Sequence, residues 1–360
     1  MDLVGWLDVA ILLSLLQCIK GTGTAKQWTY AGAAGQSEWP VLFHECGGSS
    51  QSPINVDTSE TRYDPSLPEI RPLGYEQYGH EPFTLSNDGH TESFSRSFLA
   101  VMILLPSWMG LAGLPWQFSA LQLHLHWGNG VSLATGSEHT VDEQSASAEL
   151  HVVHYNSALY SNVTGAKTRE NGLAVLAVLI EAGEETNQAY ANILNYLNRI
   201  RYAGQSTLIP AFDVRTLLPK DLSRYFRYSG SLTTPPCHQS VMWTVFDEKV
   251  KVSFSQLLKL ETVLYSDSAE RNPLQDNYRT IQPLNNRTVL SSFVPVSANI
   301  YTAGKISAIV TGGLCGCVGL ALILYFIIKA IRTKDTARDV ALRTTSDAGT
   351  NEEATPQSKP

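Results

Sequence analysis

The stretch Gln122-Leu123-His124-Leu125-His126-Trp127 alternates polar and apolar side chains with a period of two. In an extended strand that period puts His124 and His126 on one face and the leucines on the other. The same alternation in Glu149-Leu150-His151-Val152-Val153 gathers Glu149, His151 and Val153 on a single face. If the two strands are neighbours, three imidazoles converge on one point. Three neutral nitrogen donors fill all but one position of a tetrahedral zinc, and water takes the fourth. The spacing also suits hydrogen-bonded core histidines, and by itself it leaves both readings open. His154 falls on the face opposite His151 and reads as structural.

The surroundings of these strands are of the same kind. Leu173 to Ile180 and Val241 to Phe246 are short, apolar and β-branched, as buried strands are. Turn clusters separate such runs at Asn87-Asp88-Gly89, Gly128-Asn129-Gly130 and Thr234-Pro235-Pro236. One amphipathic stretch, Thr186 to Arg201, carries Ala189, Ile193, Leu194 and Leu197 at helical spacing. No internal repeat or low-complexity linker interrupts residues 28–294. The fold class that follows is mainly β, with a few helices.

The ends of the chain differ in kind. Val9 to Ile19 is an uncharged apolar run followed by small residues, which predicts a signal peptide over 1–25, although the expected positive start is missing. Residues 306–328 are 23 in a row without a charge, about 34 Å as a helix, against a hydrocarbon core of about 30 Å. Lys329, Arg332, Lys334, Arg338 and Arg343 follow this run, and Lys305 stands alone before it. The positive-inside bias therefore puts the 329–360 tail, which reads as disordered, in the cytoplasm. A domain over 26–294 and a juxtamembrane stalk over 295–305 fall outside, giving a single-pass type I protein of the plasma membrane. Gly312 and Gly316 form a GxxxG, a candidate face for a homodimer.

Composition agrees with that division. The chain of 360 residues carries a net charge of −7, and the tail from Lys329 holds six positive and five negative residues, so the acidity belongs to the outer part. An acidic chain without a long basic run offers no electrostatic footing for nucleic acid. With Cys18 in the signal and Cys315 and Cys317 in the span, only Cys46 and Cys237 remain outside. In an oxidising compartment that pair most simply forms one disulfide. Asn162-Val163-Thr164 and Asn286-Arg287-Thr288 are glycosylation sequons in the outer part.

These pieces join others in one pattern. Trp28-Thr29-Tyr30, Gln51-Ser52-Pro53-Ile54, Asn87-x-Gly-His90, Gln122-x-His-x-His-Trp-Gly128, Gly136-Ser-Glu-His139, Glu149-Leu-His151, Gly172-Leu-Ala-Val175 and Ser231-Leu-Thr-Thr-Pro-Pro236 follow in order. From Trp28 to about Phe293 the chain resembles the α-carbonic anhydrases, and its two apolar ends resemble those of membrane-anchored members. The resemblance implies a large twisted, mostly antiparallel sheet with a conical active-site cleft. It implies Zn2+ on His124, His126 and His151, with a bound water that ionises near pH 7, a value established for carbonic anhydrase itself. That ionisation releases a proton, and the resulting hydroxide adds to carbon dioxide to give bicarbonate, which implies regulation of pH at the outer cell surface.

The remaining roles are also implied by the resemblance. Gln122 and Glu149 orient two of the imidazoles. Thr233 accepts a hydrogen bond from the zinc hydroxide and donates one to Glu138, which as a carboxylate can only accept. Thr234 contacts bicarbonate. Leu232, Val153, Val175, Val241 and Trp243 line an apolar pocket for carbon dioxide, although each also suits plain core. His90 is the proton shuttle and Tyr30 helps order the water chain. Asp88 stands where the family usually has Asn, and Ser93 where a larger amide is common.

The larger departure is the connection from Thr91 to Leu121, which is longer than the family pattern. Phe94 to Trp108 is unusually apolar, with Ala100-Val-Met-Ile-Leu-Leu105 and no matching motif. As an exposed run it is an aggregation liability. The reading adopted is an error in the underlying gene model, with a true variation or a surface patch as alternatives. If the segment is real and disrupts the cleft, the other functional class opens: a catalytically impaired ectodomain acting in binding or adhesion. The three histidines, Glu138, Thr233 and His90 favour the enzyme, because a binding module needs none of them.

Overall fold

A computed structural model describes residues 28–77, 81–88, 101–131 and 135–347. The expected signal peptide lies outside the described residues. The remainder divides into two compact units that meet between Pro295 and Val296.

The first unit is built on strands. The early ones are β1 (Asn55–Val56), β2 (Arg62–Tyr63), β3 (Arg71–Leu73), β4 (Phe83–Asn87), β5 (Val101–Leu104) and β6 (Gly110–Ala112). The central ones are β7 (Phe118–Trp127), β8 (Thr140–Val141), β9 (Ala148–Tyr155) and β10 (Leu173–Gly183). The last are β11 (Ser206–Ile209), β12 (Tyr225–Gly230), β13 (Val241–Phe246), β14 (Val250–Ser253) and β15 (Leu290–Ser291). Among the described residues, thirteen form one sheet with the order β11-β4-β5-β7-β9-β10-β13-β12-β15-β2 along its main path. Most pairs are antiparallel. β10 runs parallel to β13 and to β14, and β15 to β2, so the expected sheet is correct in kind and more mixed in detail.

The period-two pattern is expressed as two different faces. On one, Leu123, Leu125 and Trp127 of β7, Leu150 and Val152 of β9, and Leu176, Val178 and Ile180 of β10 join the main core. Two helices cover it, α1 (Gln188–Leu194) and α2 (Phe254–Val263), through Tyr190, Ile193, Leu194, Leu257 and Leu260. Each large apolar side chain so buried contributes about 1.5–3 kcal/mol before entropy is counted. β10 is apolar on both faces because both are covered, which is why its sequence reads as a continuous run.

Asn187 caps α1 by accepting from the amides of Ala189 and Tyr190. The helix is shorter than the expected Thr186 to Arg201, because beyond Leu194 the bonds tighten to three-residue spacing, ending in a turn at Leu197–Arg199. α2 went unread in the sequence, although Ser253 and Gln256 form a reciprocal capping box that signals its start.

The apolar stretch before the histidine strand needs correcting. Val101–Leu104 is not a stray loop. It pairs with β4 on one side and β7 on the other, and Val101, Ile103 and Leu105 are buried in the main core. Its apolar composition is that of a central strand, so from Val101 onward it carries no sign of a gene-model error. Phe94 to Ala100 lie outside the described residues, as do His90 and Ser93.

The second unit is one helix, α3 (Val296–Asp347), with a stretch at Val310–Lys334 long and apolar enough to cross a membrane. One expectation fails here. The helix includes most of the segment read as a stalk, and the tail expected to be disordered continues as helix to Asp347. Between Leu320 and Asp347 there is neither Gly nor Pro, and Ala, Leu, Arg and Lys favour the helix. Gly312 and Gly316 are exposed on it.

Candidate metal centre

β7 and β9 are neighbours in antiparallel register, with His124 opposite His151 and His126 opposite Glu149. The alternation of each strand therefore delivers His124, His126 and His151 to the face away from the main core. All three are buried, and their ligand atoms lie within 4.8 Å of one another.

Each ring has one nitrogen committed. His124 Nδ1 lies 2.9 Å from Gln122 Oε1, His126 Nδ1 2.6 Å from the Asn277 carbonyl oxygen, and His151 Nε2 2.7 Å from Glu149 Oε1. Those three oxygens accept only, so the network assigns the ring protons to these nitrogens. The opposite ring nitrogens, His124 Nε2, His126 Nε2 and His151 Nδ1, turn toward one another, with His124 Nε2 and His151 Nδ1 3.3 Å apart. That is the separation of two ligands each about 2.05 Å from one tetrahedral zinc. His126 Nε2 is buried with no hydrogen-bond partner. Burial first, then the mutual repulsion of their charged forms, holds His124 well below the usual histidine range. Burial likewise lowers His126 against the opposing charge of Glu138. Three buried imidazoles with these nitrogens turned to one point fit a divalent zinc.

Glu149 does more than hold His151. Its Oε2 accepts from the amides of Glu138 and His139, at 2.8 and 2.7 Å, and its Oε1 from His139 Nδ1 at 2.7 Å. Burial alone would raise its carboxyl, but the facing His139 and His151 and these bonds hold it well below the usual carboxylate range. His139 Nε2 meets the Tyr228 hydroxyl at 2.6 Å, and that hydroxyl donates to Ser52 Oγ at 2.9 Å. His139, Tyr228 and Asn277 were not singled out from sequence. Asn277 acts on His126 through its backbone oxygen, which no side-chain pattern signals.

Glu138 Oε1 accepts from the Arg279 amide at 2.8 Å. Its Oε2 is buried without a hydrogen-bond partner and lies 3.5 Å from His126 Nε2. Thr233 and Thr234 are buried in the loop after β12, and no Thr233 hydroxyl bond to Glu138 is formed. That loop is pinned by Trp243 Nε1 on the Ser231 carbonyl at 3.0 Å and by the Cys46–Cys237 disulfide. Tyr30 is half-buried against Trp28 and Trp39. Burial, then the Glu138 charge, raises its hydroxyl well above the usual range against Arg279.

The apolar candidates share one wall. Across the sheet Gln122 faces Val153, Val153 faces Val175, and Val175 faces Trp243. These three and Val241 are buried in a second apolar cluster, with Leu232 packed against it. The Trp243 ring lies 4.9 Å from that of His151. Asn162 and Asn286 are exposed, and Asn162 also accepts from the Gly165 amide.

The family model of eukaryotic-type carbonic anhydrases matches residues 34–293. Human carbonic anhydrase 12 is 40% identical over 311 residues, covering 86% of this chain and 85% of the relative. Bovine carbonic anhydrase 6 is 41% identical over 297 residues, 82% of this chain and 88% of its own. Mouse carbonic anhydrase 15 is 35% identical over 295 residues, 79% and 89% respectively.

Proposed function

The chain belongs to the eukaryotic-type carbonic anhydrases, and on that premise we propose that it hydrates carbon dioxide reversibly at the outer face of a membrane, with Zn2+ on His124, His126 and His151. The observation that supports the metal assignment is the convergence of three buried histidines, with ligand atoms within 4.8 Å of one another and one nitrogen of each ring held by a hydrogen-bond partner. A zinc ion held there supplies a water that ionises near neutral pH.

The chain's own residues do the rest. Gln122, the Asn277 carbonyl and Glu149 fix the three rings, so the ligands need no reorganisation when metal arrives. Glu138 Oε2, which has no hydrogen-bond partner in the structure, would accept a hydrogen bond from the Thr233 hydroxyl on a small shift of that side chain, leaving the Thr233 oxygen to accept from the reacting water. That choice of direction aims the nucleophile at its substrate. Carbon dioxide has neither charge nor net dipole, so Val153, Val175, Val241, Trp243 and Leu232 receive it by exclusion of water. Thr234 positions the bicarbonate product. His90 relays the proton outward, with Tyr30 ordering the path.

The location follows from three features. The Cys46–Cys237 bridge suits an oxidising compartment, the basic residues after the apolar run suit a cytoplasmic end, and both sequons then lie outside. The domain over 26–294 is thus extracellular, with a span near 306–328 and a cytoplasmic end at 329–360, the signal over 1–25 being removed. The reading as an impaired binding module required a disrupted cleft, and the regular register of β5 with β7 speaks against it.

The test uses the full chain in detergent micelles. Stopped-flow hydration of carbon dioxide, paired with metal analysis, is expected to give activity proportional to bound zinc at one per chain. Folded, zinc-loaded protein without activity would overturn the reading. Labelling of intact cells with an antibody to the C-terminal residues is expected to need permeabilisation.

A further inference from the structure

β5 places two apolar side chains on the metal-site face of the sheet. Directly opposed residues of an antiparallel pair project to the same side, with Cβ atoms about 4.5–5.5 Å apart. Met102 lies opposite His124 and Leu104 opposite Gln122. Their chain neighbours Val101, Ile103 and Leu105 take the other face and sit in the main core, whereas Met102 and Leu104 belong to neither apolar cluster. Met102 is buried at 6% exposure, and Leu104 is left 50% exposed. One row across the sheet thus runs Leu104, Gln122, Val153, Val175, Trp243. Apolar surface flanks the metal ligands on both sides, and an open leucine forms the outer end.

We propose that Met102 and Leu104 form an apolar subsite beside the metal centre, which takes the alkyl arm of a monocarboxylate whose head group occupies the bicarbonate position. The inference rests on the functional reading above. A carboxylate R–COO− is bicarbonate with the hydroxyl replaced by an apolar group. Its head therefore meets the groups that meet the product, and its arm needs a dry surface next to them. Leu104 supplies that surface without having to be uncovered. The pairing with His124 and Gln122 makes it continuous with the site.

The test is a series of straight-chain carboxylates, acetate through valerate, against the full-length zinc-loaded chain. Two readouts are taken: competitive inhibition of carbon dioxide hydration, and direct binding by calorimetry. A fully desolvated methylene corresponds to about fourfold in affinity, so a half-open surface should give about twofold per methylene. Valerate is then expected to bind roughly tenfold more tightly than acetate. Leu104→Ser and Met102→Ser, each normalised to its own acetate value, should flatten the series. Leu258→Ser, on the exposed side of α2, should keep it. Leu104 is half exposed, so Leu104→Ser reports even if Met102→Ser fails to fold. A flat series in the wild type, or an unchanged slope in Leu104→Ser, would overturn the subsite while leaving the enzyme intact. Loss of both hydration and acetate binding in the wild type would instead overturn the functional reading beneath it.

Discussion

His151 and His154 stand on the same strand, β9, and face opposite sides of the sheet, with opposite fates. Both are buried, and both have a ring nitrogen hydrogen-bonded. His154 has spent the other one as well: Nδ1 reaches the Ala174 carbonyl at 3.3 Å and Nε2 meets the Tyr75 hydroxyl at 2.6 Å. Burial pushes His154 down to about 3, so it stays neutral and closed. His151 gives Nε2 to Glu149 and turns Nδ1 toward His124. On the proposed reading, what separates a metal ligand from a core histidine is therefore the nitrogen left unspent. Burial alone, which the two share, does not decide it.

The sharpest break of this comparison is a pair of substitutions. His151→Ala should abolish stoichiometric zinc and drive hydration to background. His154→Gln should keep zinc at one per chain, with a stability loss of about 1–3 kcal/mol if the buried Tyr75 hydroxyl loses its partner, read by urea unfolding. Equal loss of zinc in both variants would erase the distinction. Next in size is Thr233→Ala, which leaves the metal bound but removes the orienting acceptor, for a fall of about 10²-fold in kcat/KM. Glu149→Gln should weaken zinc about 10–100-fold, measured by competition with a chelator, because His151 keeps its lone pair but loses its charged anchor.

The smallest expected effect concerns pH. His154 has its folded value held near 3 by burial, below the unfolded value of about 6.5. The unfolded chain binds the extra proton between those limits, so the corresponding stability is complete above about pH 6.5 and is lost as pH falls toward 3. His154→Gln should make the acid limb of the metal-stripped protein shallower by about one proton, roughly 1.4 kcal/mol per pH unit at most. An unchanged limb would mean that His154 is protonated in the folded state.

Much of the site was legible because strand alternation is a strict code. Once Gln122 to Trp127 and Glu149 to Val153 are extended, their facing residues are determined, and the register of β7 with β9 did the rest. His154 was correctly assigned to the far face by the same parity. Beyond α2, His139 and Tyr228, three things escaped. Val101 to Leu105 read as foreign because a strand buried on one face and half-open on the other shows no clean alternation when both sides are apolar. Asn277 and the Arg279 amide contribute backbone groups, which have no residue signature. The helix past Lys329 was hidden by a polar composition, which says nothing against helix where Gly and Pro are missing.

The most direct test of the central claim is a zinc titration of the chelator-stripped full-length chain in detergent at pH 7, followed by calorimetry. The account predicts one tight site in the wild type, the same site in His154→Gln, and none in His151→Ala. A folded wild-type chain that takes up no zinc, or a His151→Ala chain that binds as tightly as the wild type, would contradict it.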